Sequence, residues 1–182
     1  MPDYRQKHPE TCLAKCLMIL VEKEQGKELP DSYELEILNY SFKYDRESIS
    51  RGHLEKIAKD FGLYLNWVVD TKIFYDFTMQ KSLPKKVNLT LEKINLKLLD
   101  SLLSKPLILY VDRFYLWKEE FGLYYKYHYP HFIIVSKRVG EKYEIIDPDD
   151  GLVRLIEKQK LSKAVISLKN HLWFSPQVIQ IK

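Results

Sequence analysis

Between Cys12 and Val21, nine of the ten residues are apolar, Lys15 being the exception. Such a run covers nearly the whole circumference of an α-helix, so the helix cannot lie on a surface with a single dry stripe and has to be enclosed by other elements. Thr11 stands where an N-cap is expected, and Gly26 where a helix stops. The sequence therefore predicts a buried helix from about Cys12 to Lys23. At 182 residues there is enough chain to build that enclosure as a single domain, residues 1–182, without disulfides or metals.

The rest of the chain says what the enclosure is made of. Helical spacing recurs over roughly Asp31 to Asn39 and over Ser50 to Phe61, where Leu54, Ile57, Ala58 and Phe61 share a face before Gly62. The period then shortens. Leu63 to Val69 reads as a strand, and Thr90 to Leu103 as a helix with Leu91, Ile94, Leu98 and Leu102 inward. From Pro106 strands dominate: Leu107–Val111, then His131–Ser136 and Lys142–Ile146 joined through Arg138-Val139-Gly140 as a hairpin, and Gln177–Ile181 at the end. Asp147-Pro148-Asp149-Asp150-Gly151 stops the second hairpin strand, and a helix is expected near Ile156 to Leu168. Helices first and strands afterwards predict an α+β domain, its N-terminal helices packed on one side of a C-terminal antiparallel sheet.

Charge and composition exclude several function classes. The net charge is +4, and the lysines are interspersed with acids rather than massed. The densest basic stretch, Lys81 to Lys86, lacks the aromatic and glycine pattern of a single-strand platform, so no nucleic-acid partner is expected. No segment approaches the length of a membrane span. No basic region followed by an apolar one marks the start of the chain for secretion, and two cysteines four residues apart cannot form a long-loop disulfide framework. A cytoplasmic protein is the expectation.

Cys12 begins the buried helix. A thiol at a helix N-terminus meets free backbone N–H groups and the positive end of the dipole, which favour a thiolate nucleophile. Such a nucleophile needs an imidazole to take its proton, a group to orient the imidazole, and a donor for the oxyanion. His131 opens one strand of the hairpin and Asp147 ends the next, so antiparallel pairing brings them to the same end of the sheet. Gln6 and the Cys12 N–H are the candidate oxyanion donors. His128 is the alternative base, while His53 and His171 have no evident partners. Cys16, one turn after Cys12, is expected to pack in the core. A zinc site from Cys12, Cys16, His8 and His131 is the competing chemistry, since Cys-x-x-x-Cys lies within zinc spacing, but no second Cys or His pair at finger spacing supports it. The aromatic stretch Phe114, Tyr115, Trp117, Phe121, Tyr124, Tyr125, Tyr127 and Tyr129 is compatible with a peptide groove or with core packing.

These positions together resemble the C39-type and C39-like peptidases, a group of papain-like cysteine peptidases. The shared pattern is a Gln six residues before the nucleophile, Cys-x-x-x-Cys opening the first helix, a His leading an apolar strand, and Asp-Pro sixteen residues after that His. Here it reads Gln6, Cys12, Cys16, His131-Phe132-Ile133-Ile134-Val135 and Asp147-Pro148, with Gly151 at the turn glycine. Thr11, Leu13 and Lys15 replace the Asp, the Gly and the small residue usual around the thiol. The resemblance implies a papain-like fold and a peptide or protein substrate. It also implies a reaction in which Cys12 attacks, His131 transfers the proton, Asp147 holds the ring and Gln6 stabilises the oxyanion, with no cofactor. A catalytically silent peptide-binding module, which Leu13 would suit, and an acyl or peptidyl transferase are the alternatives on the same fold.

Overall fold

A computed structural model gives the fold and describes residues 3–44, 49–117 and 127–182. Three helices come first: α1 (Cys12–Gln25), α2 (Ser32–Tyr44) and α3 (Ile49–Phe61). They are followed by β1 (Leu65–Val69), α4 (Lys72–Met79), β2 (Val87–Leu91), α5 (Leu96–Leu102), β3 (Leu107–Asp112) and α6 (Phe114–Trp117). The chain closes with β4 (Pro130–Val139), β5 (Lys142–Ile146), β6 (Val153–Glu157), α7 (Lys158–Leu172) and β7 (Gln177–Ile181). The class is α+β, as the sequence predicts.

The sheet corrects two expectations. It has seven strands in the order β2-β1-β7-β3-β4-β5-β6 and is mixed rather than antiparallel, because β1 and β2 run parallel. The connection through α4 makes that pairing available, since parallel neighbours need a crossover rather than a tight turn. Helices also cover both faces instead of one. Along β4, Phe132 and Ile134 join the core built on α1 and α3, whereas Ile133 and Val135 join the core around α5 and α7. The strand alternation of β7 does the same, with Ile179 and Ile181 on one side and Val178 on the other. Sheets buried on both faces carry apolar residues at consecutive positions, which is what Leu107-Ile108-Leu109 and Ile133-Ile134-Val135 display.

Three element boundaries differ as well. Thr90 and Leu91 belong to β2, so the helix expected over Thr90 to Leu103 shortens to α5. Ile156 is the one buried residue of β6, and the helix expected from it starts instead at Lys158 and reaches Leu172. The strands expected over His131 to Ser136 and Lys142 to Ile146 are β4 and β5, with Ile134 opposite Ile146. Of the aromatic stretch, Phe121, Tyr124 and Tyr125 lie outside the described residues. Among the described residues no helix is long and apolar enough to cross a membrane.

Helix α1 is enclosed as its composition requires, with every residue from Leu13 to Val21 buried and Gly26 closing it in the left-handed conformation. It packs against β3 and β4 on one side and α2 and α3 on the other. This seats Cys12, its first residue, at the end of the sheet where β4 begins.

Candidate active site

The turn into α1 is shaped by a buried carboxylate. Thr11 is fully buried but does not cap the helix with its side chain, contrary to expectation. Its hydroxyl instead lies against the His8 carbonyl, at 2.6 Å, and against the carboxylate of Glu34. Glu34 has no exposed surface and also accepts from the backbone N–H groups of Lys7 (3.0 Å) and His8 (3.2 Å). An ionised acceptor in a dry setting outbids the weak local cap, and the exchange leaves the first N–H groups of α1 without a side-chain partner. Glu34 thereby fixes the segment between Gln6 and Cys12. Neither its burial nor this role has a signal in the sequence, where it is an ordinary acid in the first turn of a helix.

The same segment is tied to the turn after β5. The Gln6 N–H donates to the Pro148 carbonyl at 2.6 Å. Gly151 has φ +73°, and a Cβ there would lie 2.8 Å from the backbone nitrogen of Arg5. The glycine thus meets two demands, a left-handed turn and a close approach of the N-terminal strand. The result is that Gln6 and Asp147, 141 positions apart in sequence, are held by one backbone junction. The Gln6 side chain makes no hydrogen bond among the described residues, and its Oε1 is buried. An amide with both donors unused is suited to receive an oxygen from a bound ligand.

His131 and Asp147 meet as the strand register requires. The imidazole Nε2 lies 2.7 Å from Asp147 Oδ1, with the His131 side chain 2% exposed and that of Asp147 fully buried. Asp147 Oδ1 also accepts from the Asp149 N–H at 2.9 Å. Arg113 stands on the other side, its Nε 3.9 Å from Asp147 Oδ2 and its Nη1 paired with Asp149. Arg113 directly follows the end of β3. Sequence reasoning gave it no role, although an Asp-Arg pair closing a strand beside the expected site was the available signal.

Electrostatics follow from this packing. Burial opposes charge on both partners, but their hydrogen bond outweighs it. His131 is pushed up to about 10, with Cys12 as a second partner acting on the ring through hydrogen bonding and charge. Asp147 is held at about 2 against burial by the His131 hydrogen bond and charge, with help from Arg113. Since Asp147 occupies Nε2, the nitrogen left for the thiol is Nδ1. The two cysteines differ sharply. Cys12 is partly exposed, whereas Cys16 is fully buried, its thiol directed at the Phe132 carbonyl at 3.6 Å. Burial first, and the negative charge of Cys12 and Asp147 second, push the Cys16 thiol well above its usual range.

The other sequence candidates are placed elsewhere. His128 bonds to Asp112 at 2.5 Å and stacks on His171 with ring centroids 4.4 Å apart. His53 is buried between Ser41 and the Ile49 carbonyl, each 2.8 Å from Nδ1. His8, one of the four candidate zinc ligands, contributes its backbone N–H to Glu34. Among the described residues no group of three or more His, Cys, Asp or Glu side chains is arranged to hold a metal ion. From the aromatic stretch, Tyr129 lines a cavity beside Cys12, while Phe114 and Tyr115 pack on His128 away from it.

The arrangement assembles a partly exposed thiol at a helix start, a buried imidazole acting on it, a carboxylate fixing that imidazole, and an unused amide at the adjoining junction. Compared with known proteins, the chain matches no family model and no curated sequence.

Proposed function

We propose that the protein is a papain-like cysteine peptidase of the C39-like kind, hydrolysing peptide bonds at Cys12. The observation that carries this reading is the pair of partners on one imidazole, Asp147 at 2.7 Å on Nε2 and the Cys12 thiol as the other. An imidazolium beside the sulfur favours thiolate, the attacking form. Thiolate attack on the peptide carbonyl gives a tetrahedral oxyanion, which the Cys12 N–H and the Gln6 amide stabilise. His131 then delivers its proton to the leaving amine as the C–N bond breaks. Water, deprotonated by the same ring, releases the acid and regenerates the thiol. Asp147 keeps the ring in the orientation and tautomer that this cycle needs. Free thiols performing this chemistry suit a reducing, cytoplasmic setting.

The test is cleavage of a mixed peptide library by the full chain, followed by mass spectrometry, with single substitutions as controls. Cys12→Ala abolishes cleavage. Gln6→Ala lowers kcat by about two to three orders of magnitude with KM nearly unchanged, as removal of an oxyanion donor does. Cleavage that survives Cys12→Ala would overturn the assignment, and Gln6→Ala turning over at the wild-type rate would remove Gln6 from the site.

A further inference from the structure

A cavity of about 360 Å³ opens beside Cys12, which forms part of its wall. Its largest surface is aromatic. Tyr110 and Phe132 stack with centroids 4.1 Å apart and planes 15° from parallel, and Phe174 meets Tyr110 edge-on at 6.0 Å. Phe174 is 45% exposed and Tyr129 51%. Large apolar side chains left open to water around one concave site mark a place where something apolar is received.

The polar groups in the wall are already engaged. His53 Nδ1 lies between Ser41 and the Ile49 carbonyl, and burial holds its pKa down near 4, so the ring is neutral. Gln177 Oε1 accepts from the Trp67 indole at 2.9 Å. Glu10 is the exception. It lines the cavity two residues before Cys12, is exposed, and makes no hydrogen bond or ion pair among the described residues. A neutral aromatic interior with one unpaired carboxylate beside it selects for apolar bulk inside and positive charge at its edge.

We propose that this cavity is the substrate-selecting subsite of the thiol centre. It takes a bulky aromatic or aliphatic side chain of an extended peptide among Tyr110, Phe132 and Phe174, and Glu10 meets a basic residue adjacent to it. The assignment rests on the peptidase reading above and adds the substrate class. Its volume is at the low end of the roughly 300 to 1,000 Å³ of ligand pockets, which fits one large side chain rather than a folded partner. A glycine at that position would leave the aromatic walls wet and gain nothing from them.

The experiment compares rates of Cys12 alkylation by three peptidyl acyloxymethyl ketones that share one electrophile: acetyl-Phe-Lys, acetyl-Phe-Glu and acetyl-Gly-Gly. Iodoacetamide serves as the reagent without a peptide. The Phe-Lys probe is expected to react about 10- to 100-fold faster than Gly-Gly, the range that burial of one large apolar side chain supplies. Phe174→Ala reduces that ratio about tenfold. Glu10→Gln, at an exposed position that tolerates exchange, brings Phe-Lys and Phe-Glu to within about twofold of each other. Equal rates for Phe-Lys and Gly-Gly, with iodoacetamide still labelling Cys12 in a His131-dependent way, would overturn the subsite and leave the peptidase reading standing. Iodoacetamide labelling indifferent to His131 would remove both.

Discussion

Two carboxylate–imidazole pairs lie close together in this molecule, and they do different things. Asp147–His131 and Asp112–His128 each join a fully buried carboxylate to a ring nitrogen, at 2.7 and 2.5 Å. Asp112 spends its oxygens on architecture: besides His128 Nδ1 it accepts from Ser167 Oγ at 2.5 Å and from the backbone N–H groups of Phe114 (3.1 Å) and Tyr129 (3.3 Å). His128 is 31% exposed and closed in by Phe114 and His171, with no thiol on it. His131 is buried, its second partner is Cys12, and an open cavity lies on the far side of that sulfur. An Asp–His pair by itself is therefore a structural staple. A nucleophile with access to a cavity is what separates the candidate site from the staple.

Substitutions can break this contrast, and the largest effect is expected on the thiol. His131→Ala lowers the rate of Cys12 carboxyamidomethylation at pH 6 by about a thousandfold, the scale of a lost general base, whereas His128→Ala leaves it within about twofold. Peptide mapping of both variants after timed alkylation checks this, and a His128 effect as large as that of His131 would exchange their roles. The next effect is on stability and falls on the other pair. Asp112→Ala leaves two buried N–H groups, a hydroxyl and an imidazole without their acceptor, and is expected to cost about 2 to 3 kcal/mol in urea unfolding. Asp147→Asn is expected to keep the fold and lose the reactivity.

The third effect is gradual and depends on pH. His131 titrates near 10 in the folded chain against an ordinary 6.5, so the stability it contributes is complete below about pH 6.5 and is lost as pH rises from there through 10. Asp147 titrates near 2 against 3.8, so its contribution is complete above about pH 4 and is lost as pH falls through 2. Urea unfolding across a pH series is therefore expected to show greatest stability from this pair between about pH 4 and 6.5. Asp147→Asn should flatten both limbs, and unchanged limbs would mean that the pair is not ionised as described.

The positions of the thiol, ring and carboxylate were legible in the sequence because each sits at the end of an element with a strong period. Cys12 opens the most apolar helix, and His131 and Asp147 bracket a hairpin whose glycine and alternation set its register. The parts that were not legible depend on tertiary choice. Leu91, Ile94, Leu98 and Leu102 have helical spacing, yet the first of them ends β2, an edge strand whose only partner is β1. In β6 the apolar Val153 and Leu155 are half exposed, so the apolar alternation of that edge strand points away from the core. Thr11 has the chemistry of a cap and serves Glu34 instead. Arg113 and Glu34 gain their places only when β3, α2 and the N-terminal segment come together, and no local spacing announces that.

The central claim is that Cys12, and not Cys16, is an activated thiol, and competition between the two inside one molecule tests it most directly. The full chain is treated with iodoacetamide at pH 6 and sampled over time, and each cysteine is quantified by mass spectrometry. Cys12 has exposure, a helix start and the His131 imidazolium, while burial withholds Cys16 and disfavours its thiolate. The expected result is Cys12 labelled at least about a hundredfold faster than Cys16, with the difference lost in His131→Ala. Slow and equal labelling of both cysteines in the folded wild-type chain would contradict the account.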